Sequence, residues 1–161
     1  MAQSDPAVVF ELLEKEEIRA LIQETAERLD RENFDGWLEL FAAKSEYELT
    51  AYSSEIKASM SWWKSTREEL GKILDEIPQH IRDAGRRIHL VVPVLVSVAG
   101  ATASARSQFA ILRTDRGGHS GVYAVGRYED ELIKESDRWR YAVHRAVLDT
   151  RMLETGTHLP L

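Results

Sequence analysis

A chain of 161 residues is long enough for one hydrophobic core that needs no disulfide or metal staple, and 43% hydrophobic with 30% charged residues is ordinary globular composition. A net charge of −6 argues against nucleic acid, which needs a concentrated positive patch, and no run approaches the ~18 apolar residues that cross a bilayer. The absence of cysteine excludes disulfides, thiolate chemistry and a cysteine-ligated iron–sulfur cluster within the chain, and makes a reducing cytoplasm its expected home.

Ser4-Asp5-Pro6 is a helix start: a capping side chain, then proline where a missing N–H costs nothing. Val8, Val9, Leu12 and Leu13 form one apolar stripe, and Ile18, Leu21, Ile22, Ala26 and Leu29 a second. They belong to one long helix or to two short ones. After polar Asp30-Arg-Glu-Asn33, a shorter helix is expected from Phe34 to Phe41, with Phe34, Trp37, Leu38 and Phe41 on its core side. Glu46 to Tyr52 alternates and predicts a strand. The stretch from there to Ser65 is polar and loosely patterned, and contains Trp62-Trp63. These two rings either lap over a groove of their own domain or form a contact surface for another chain. Ser65-x-x-Glu68 has the spacing of a capping box, with Leu70, Ile73, Leu74 and Ile77 as the apolar face of the helix it starts and Pro78 at its end.

Four long strands follow from Arg86. In the first, Ile88, Leu90, Val92, Val94, Val96 and Val98 share one face, and Pro93 implies a bulge or a sheet edge because it has no N–H for a ladder. Gly100 turns into Thr102–Arg113, and Asp115-Arg-Gly-Gly118 is a hairpin connection. Val122–Ile133 carries Gly126 as a candidate bulge, and Ser136-Asp137 turns into the last strand. There Trp139, Tyr141, Val143, Arg145 and Val147 alternate with Arg140, Ala142, His144, Ala146 and Leu148, so strict alternation puts Arg145 on the face of the large apolar groups and His144 on the other. Segregated helices followed by a hairpin-connected meander predict an α+β fold, residues 1–161 forming one domain with a strongly curved sheet wrapped around the N-terminal helices. Apolar groups on both faces, as at Val91 to Leu95, imply that the outer sheet face is also covered, by another subunit.

Five histidines, His80, His89, His119, His144 and His158, show no close metal-ligand spacing, and there is no nucleophile elbow. Asp30, His89 and His144 form the one acid–base constellation that can be assembled, if the curled sheet brings them together at the cone mouth.

The order Asp30–Phe41, Arg87-Ile-His89, Gly126–Leu132, Trp139–Ala142 with Arg145–Asp149, and terminal Leu159-Pro-Leu161 resembles the NTF2-like cone from Ile18 onward. More narrowly, it is similar to the small (β) subunits of Rieske non-haem-iron aromatic-ring-hydroxylating dioxygenases. That resemblance implies a structural subunit with no cofactor and no catalytic centre of its own. Its partner α subunit would carry a Rieske [2Fe–2S] cluster and a mononuclear iron, in an α3β3 assembly whose β subunits trimerise through the sheet and serve the breakdown of aromatic compounds. It also moves Arg145 and Asp149 from chemistry to architecture, as ion-pair or hydrogen-bonding groups that fix the sheet or a subunit boundary. Val92-Pro93 departs from the pattern of many relatives, and Trp62-Trp63 has no counterpart. The alternative is a stand-alone NTF2-like dehydratase, isomerase or cyclase using Asp30, His89 and His144. Asp30 and His89 fall at positions resembling those of the dehydratases, while Gln108 stands where a further histidine is expected.

Overall fold

The computed structural model describes residues 5–79, 83–153 and 159–161. Helix α1 (Pro6–Asp30) is continuous and unites the two apolar stripes, with the Asp5 carboxylate accepting the Ala7 N–H at 2.9 Å. Only the second stripe is buried, joined by Thr25. Val8, Val9, Leu12 and Leu13 of the first are exposed. Helix α2 (Phe34–Leu38) is shorter than expected, and Phe41 opens strand β1 (Phe41–Ser53) instead of closing the helix.

The polar stretch after β1 is a strand, β2 (Ala58–Thr66), paired antiparallel with β1. Edge position explains its weak pattern, since β2 pairs with β1 alone and most of its side chains are exposed. Because β2 runs to Thr66, the capping box of helix α3 (Arg67–Glu76) is Thr66/Glu69, one residue beyond the expected Ser65/Glu68. Ser65 is buried in the strand and accepts the Trp63 indole N–H at 2.7 Å. Pro78 lies in a 3₁₀ turn (Ile77–Gln79) that ends the helix.

Strands β3 (Arg86–Ala99), β4 (Thr102–Thr114), β5 (Ser120–Glu135) and β6 (Arg138–Leu148) form the meander. The sheet order is β2-β1-β6-β5-β4-β3, antiparallel except for the parallel β1–β6 pair. Helix α1 packs against β3 at one edge and also meets β6, and α3 packs on β1 and β2, so the sheet curls around the helices. This is the expected α+β architecture.

Three bulges in the β3–β6 meander decide which of its side chains face inward. Val94 is the extra residue in β3 opposite β4, Tyr123 the extra residue in β5, and Ala142 the extra residue in β6. Each reverses the alternation, because one inserted residue exchanges the two faces. Ile88, Leu90, Val92 and Val94 are therefore exposed, whereas Val96, two residues on in the same alternating series, is buried. In β6 the inner face passes from Trp139 and Tyr141 to His144, Ala146 and Leu148. Histidine 144 thus shares the face of the large aromatics and Arg145 lies outside, the reverse of strict alternation. Gly126 is not a bulge. A Cβ there would lie 2.3 Å from the Val147 carbonyl oxygen and 3.0 Å from Phe109, so the residue is small because neighbouring backbone passes over it.

Candidate functional site

At the C-terminal end of α1 the Asp30 carboxylate makes three contacts with two donor groups of one residue. Its oxygens accept the His89 backbone N–H at 2.9 and 3.2 Å, and Oδ1 lies 2.6 Å from His89 Nδ1. Two helical turns earlier on the same face, the Gln23 amide donates to the Val91 carbonyl at 3.1 Å. Since β3 is an edge strand, these bonds from α1 satisfy main-chain groups that would otherwise offer a template for strand addition. A carboxylate beside Nδ1 favours a proton at that nitrogen, and in the corresponding neutral tautomer Nε2 is the acceptor. The pair lines a 360 Å³ cleft whose walls include Leu29, Phe34, Arg86, Arg87, Leu159 and Pro160.

His144 is not part of that cleft. Its Nδ1 lies 2.7 Å from Asp130 Oδ1 on β5, and neither side chain is exposed to any meaningful extent. Around the imidazole stand Tyr141, Tyr128, Phe41, Tyr47 and Trp37, with ring centroids 4.6 to 6.4 Å away. Tyr141 is bonded to Thr25 Oγ1 at 2.8 Å and the Tyr47 hydroxyl accepts the Leu161 N–H at 3.0 Å. Burial pushes the Asp130 carboxyl above its ordinary range, with the His144 imidazole pulling the other way. Burial likewise raises the phenols of Tyr47, Tyr128 and Tyr141. The expected Asp30–His89–His144 constellation therefore separates into two Asp–His pairs, one at a cleft and one in an aromatic core.

Asp130 was hidden by register. Counting back from the two-residue Ser136-Asp137 turn, whose residues both have positive φ, places Glu129 opposite His144; the extra residue Ala142 advances the pairing to Asp130. Arg145 on the outer face binds Glu48 of β1 and lies 3.8 Å from Glu129 of β5. Lys64 of β2 continues the row, 2.8 Å from both Glu46 and Glu48. For Glu48, desolvation is opposed by the bonds to Lys64 and Arg145, which hold its carboxyl below the usual range. Asp149 is exposed and only 4.0 Å from Arg127, while its N–H donates to the Val125 carbonyl at 3.0 Å. Trp63 turns inward onto Tyr47, ring centroids 5.3 Å apart, and Trp62 turns outward, so the adjacent pair has two environments. His119 sits in the exposed β4–β5 turn, and His80 and His158 lie outside the described residues. Among the described residues no three His, Cys, Asp or Glu side chains come together as a metal-ligand group. No helix among them is long and apolar enough to cross a membrane.

Helices enclosed by a curled six-stranded sheet of this order define an NTF2-like, cystatin-like α+β protein. The chain belongs to the SnoaL-like domain family, whose pattern matches residues 11–145. Within it the chain groups with oxygenase β subunits: it is 31% identical over 145 residues to the β subunit of 2-aminobenzenesulfonate 2,3-dioxygenase from an Alcaligenes species, spanning 89% of this chain and 97% of that one. The fold is shared with naphthalene 1,2-dioxygenase, at a TM-score of 0.75 and 16% identity, over all of this chain and 95% of that one. It is shared too with an NTF2-like protein of Novosphingobium aromaticivorans, at a TM-score of 0.67 and 22% identity over 99% and 100% of the two chains.

Proposed function

We propose that this chain is the non-catalytic β subunit of a multicomponent aromatic-ring-hydroxylating dioxygenase, active in the cytoplasm in the breakdown of aromatic compounds. Its large α partner would carry a Rieske [2Fe–2S] cluster and a mononuclear iron, in an α3β3 complex built on a β trimer. The observation that carries this reading is the outer face of the sheet. Ile88 and Leu90 on β3 stand in register with Leu112 and Ala110 on β4 and with Val122 and Val125 on β5, and Val92 extends the row along β3 to where Gln108 and Arg127 bound it. Five of these seven are exposed beyond one third of their surface, with Val122 at 66%. An antiparallel sheet whose outer face met water would carry polar groups there, and a contiguous apolar field of this kind marks a subunit contact. Beside it the Glu46–Lys64–Glu48–Arg145–Glu129 row supplies ordered charge suited to fixing a docking register. Native mass measurement with and without a co-expressed large subunit tests the reading. A trimer alone and a mixed hexamer together are expected; a monomer that never associates refutes it.

A second reading rests on the Asp30–His89 pair at the cleft: acid–base chemistry on a small molecule, with His89 Nε2 as the base and without His144. Turnover by the purified chain, lost in Asp30→Asn, would establish it.

A further inference from the structure

The cleft at the end of α1 holds more recognition chemistry than either reading uses. Arg87 and His89 project from the same face of β3, two residues apart and so separated by about 6.6 Å along the strand. Both line the cleft. Arg87 is held in place: its Nη2 donates to the Tyr123 hydroxyl at 3.2 Å, and its guanidinium carbon sits 4.3 Å from the Tyr123 ring centroid. Its Nη1 is buried and has no hydrogen-bond partner, and the same is true of His89 Nε2, on a side chain only 2% exposed. Buried polar atoms are nearly always bonded, so two orphaned atoms beside one cleft call for a common cause.

Their chemistry is complementary. Arg87 offers an N–H fork edge, which seeks an anionic oxygen. His89, with its proton held at Nδ1 by Asp30, offers a lone pair at Nε2, which seeks a donor hydrogen. The opposing charge is already committed, because Asp30 accepts three bonds from His89 and Glu32 is also engaged. Leu29 and Phe34 give the cleft apolar walls, and 360 Å³ is the scale of a site for a single ring.

We propose that this cleft binds a small organic acid, a carboxylate or sulfonate, whose apolar body also carries a hydroxyl or amino group within reach of His89. Arg87 Nη1 donates to the acid and His89 Nε2 accepts from the hydroxyl or amine. Both atoms are buried behind the cleft wall, so binding requires the side chains over them to part. The inference is independent of subunit assembly, and holds whether the cleft only binds its occupant or also transforms it.

The test is calorimetric titration of the full chain, alone and again in any complex with its large partner, using 2-hydroxybenzoate, benzoate and phenol as probes. The wild-type protein is expected to bind 2-hydroxybenzoate saturably, benzoate more weakly, and phenol least. Arg87→Met should cost about tenfold or more for both acids and leave phenol unchanged. His89→Asn keeps a donor for Asp30 but loses the Nε2 acceptor, so it should erase the preference for 2-hydroxybenzoate over benzoate. No saturable binding of 2-hydroxybenzoate by the wild-type chain at millimolar concentration overturns the proposal. So does a phenol affinity equal to that of the acids. The wild-type probe series decides the matter even if a variant fails to fold, and a chain that binds the acid but never assembles would refute the subunit reading alone.

Discussion

Asp130 and His144, joined Oδ1 to Nδ1 at 2.7 Å, form an ion-pair-capable contact sealed inside five aromatic rings, with Asp130 Oδ2 and His144 Nε2 unbonded. Removing one partner strands a polar or charged group in the core, so His144→Ala should destabilise the fold by roughly 3–5 kcal/mol. Replacing both by apolar residues of similar shape, as in Asp130→Leu with His144→Phe, should recover most of that loss. Urea unfolding of the single and double variants checks this. A double variant no more stable than the single would show that the pair contributes through something other than mutual compensation.

Gly126 should not tolerate a side chain. The Cβ of Gly126→Ala would sit 2.3 Å from the Val147 carbonyl oxygen, a main-chain atom that cannot swing aside. We expect a loss of about 1–3 kcal/mol from forced separation of β5 and β6. Gly121, with open space at its Cβ position, is the control: Gly121→Ala should leave the melting temperature nearly unchanged.

The acid limb of stability should depend on Asp83. Arg113 grips this carboxylate through two bonds, Nε to Oδ2 at 2.6 Å and Nη2 to Oδ1 at 2.5 Å, and holds its pKa at about 2. A depressed native pKa means stability that is present above the unfolded value and lost as pH falls from 3.8 toward about 2. The contribution is up to roughly 2 kcal/mol, and Asp83→Asn should flatten the stability profile across that window. Denaturant melts at a series of pH values give the answer directly.

The two tryptophans should behave differently. Trp63→Ala removes a ring packed on Tyr47 and an indole bond to Ser65, and should lower monomer stability by about 2 kcal/mol or more. Trp62 faces outward from edge strand β2, so Trp62→Ser should spare the monomer's melting temperature. If Trp62 contributes to a subunit contact, the same change will weaken assembly, which mass photometry of the complex reads out.

Arg145→Ala separates architecture from chemistry. Its partner Glu48 is mostly buried, but the guanidinium is 31% exposed, so solvent screening limits the direct loss to about 1 kcal/mol. A larger effect is expected on oligomer formation than on the melting temperature of the isolated chain. Intact assembly with loss of a chemical step would contradict the architectural role.

Much of this protein was legible before any coordinates. The helix start at Asp5-Pro6, the edge and bulge at Pro93, and the tight Ser136-Asp137 turn each follow from a local rule that tertiary contacts did not override. Asp30 and His89 could be paired because each sits at the end of a strongly patterned element, the last turn of α1 and the first turn-in of β3. Strand β2 could not be seen, since an edge strand with one half-buried face has little hydrophobic pattern to show. Nor could the partner of His144 be read, because the pairing depends on one residue of register.

The sequence by itself determined α1, α3, the core of β1 and the four-strand meander, where most of them turn, and the family to which they add up. These depend on periodicity, capping and turn chemistry, all set within a few residues. Which face of each strand looks inward was decided only by the folded sheet. Single extra residues at Val94, Tyr123 and Ala142 exchange the faces of three strands, and a bulge is fixed by how neighbouring strands must bend around α1. That bending placed His144 in the aromatic core, left Arg145 outside with Glu48, and kept Arg87 and His89 together at the cleft.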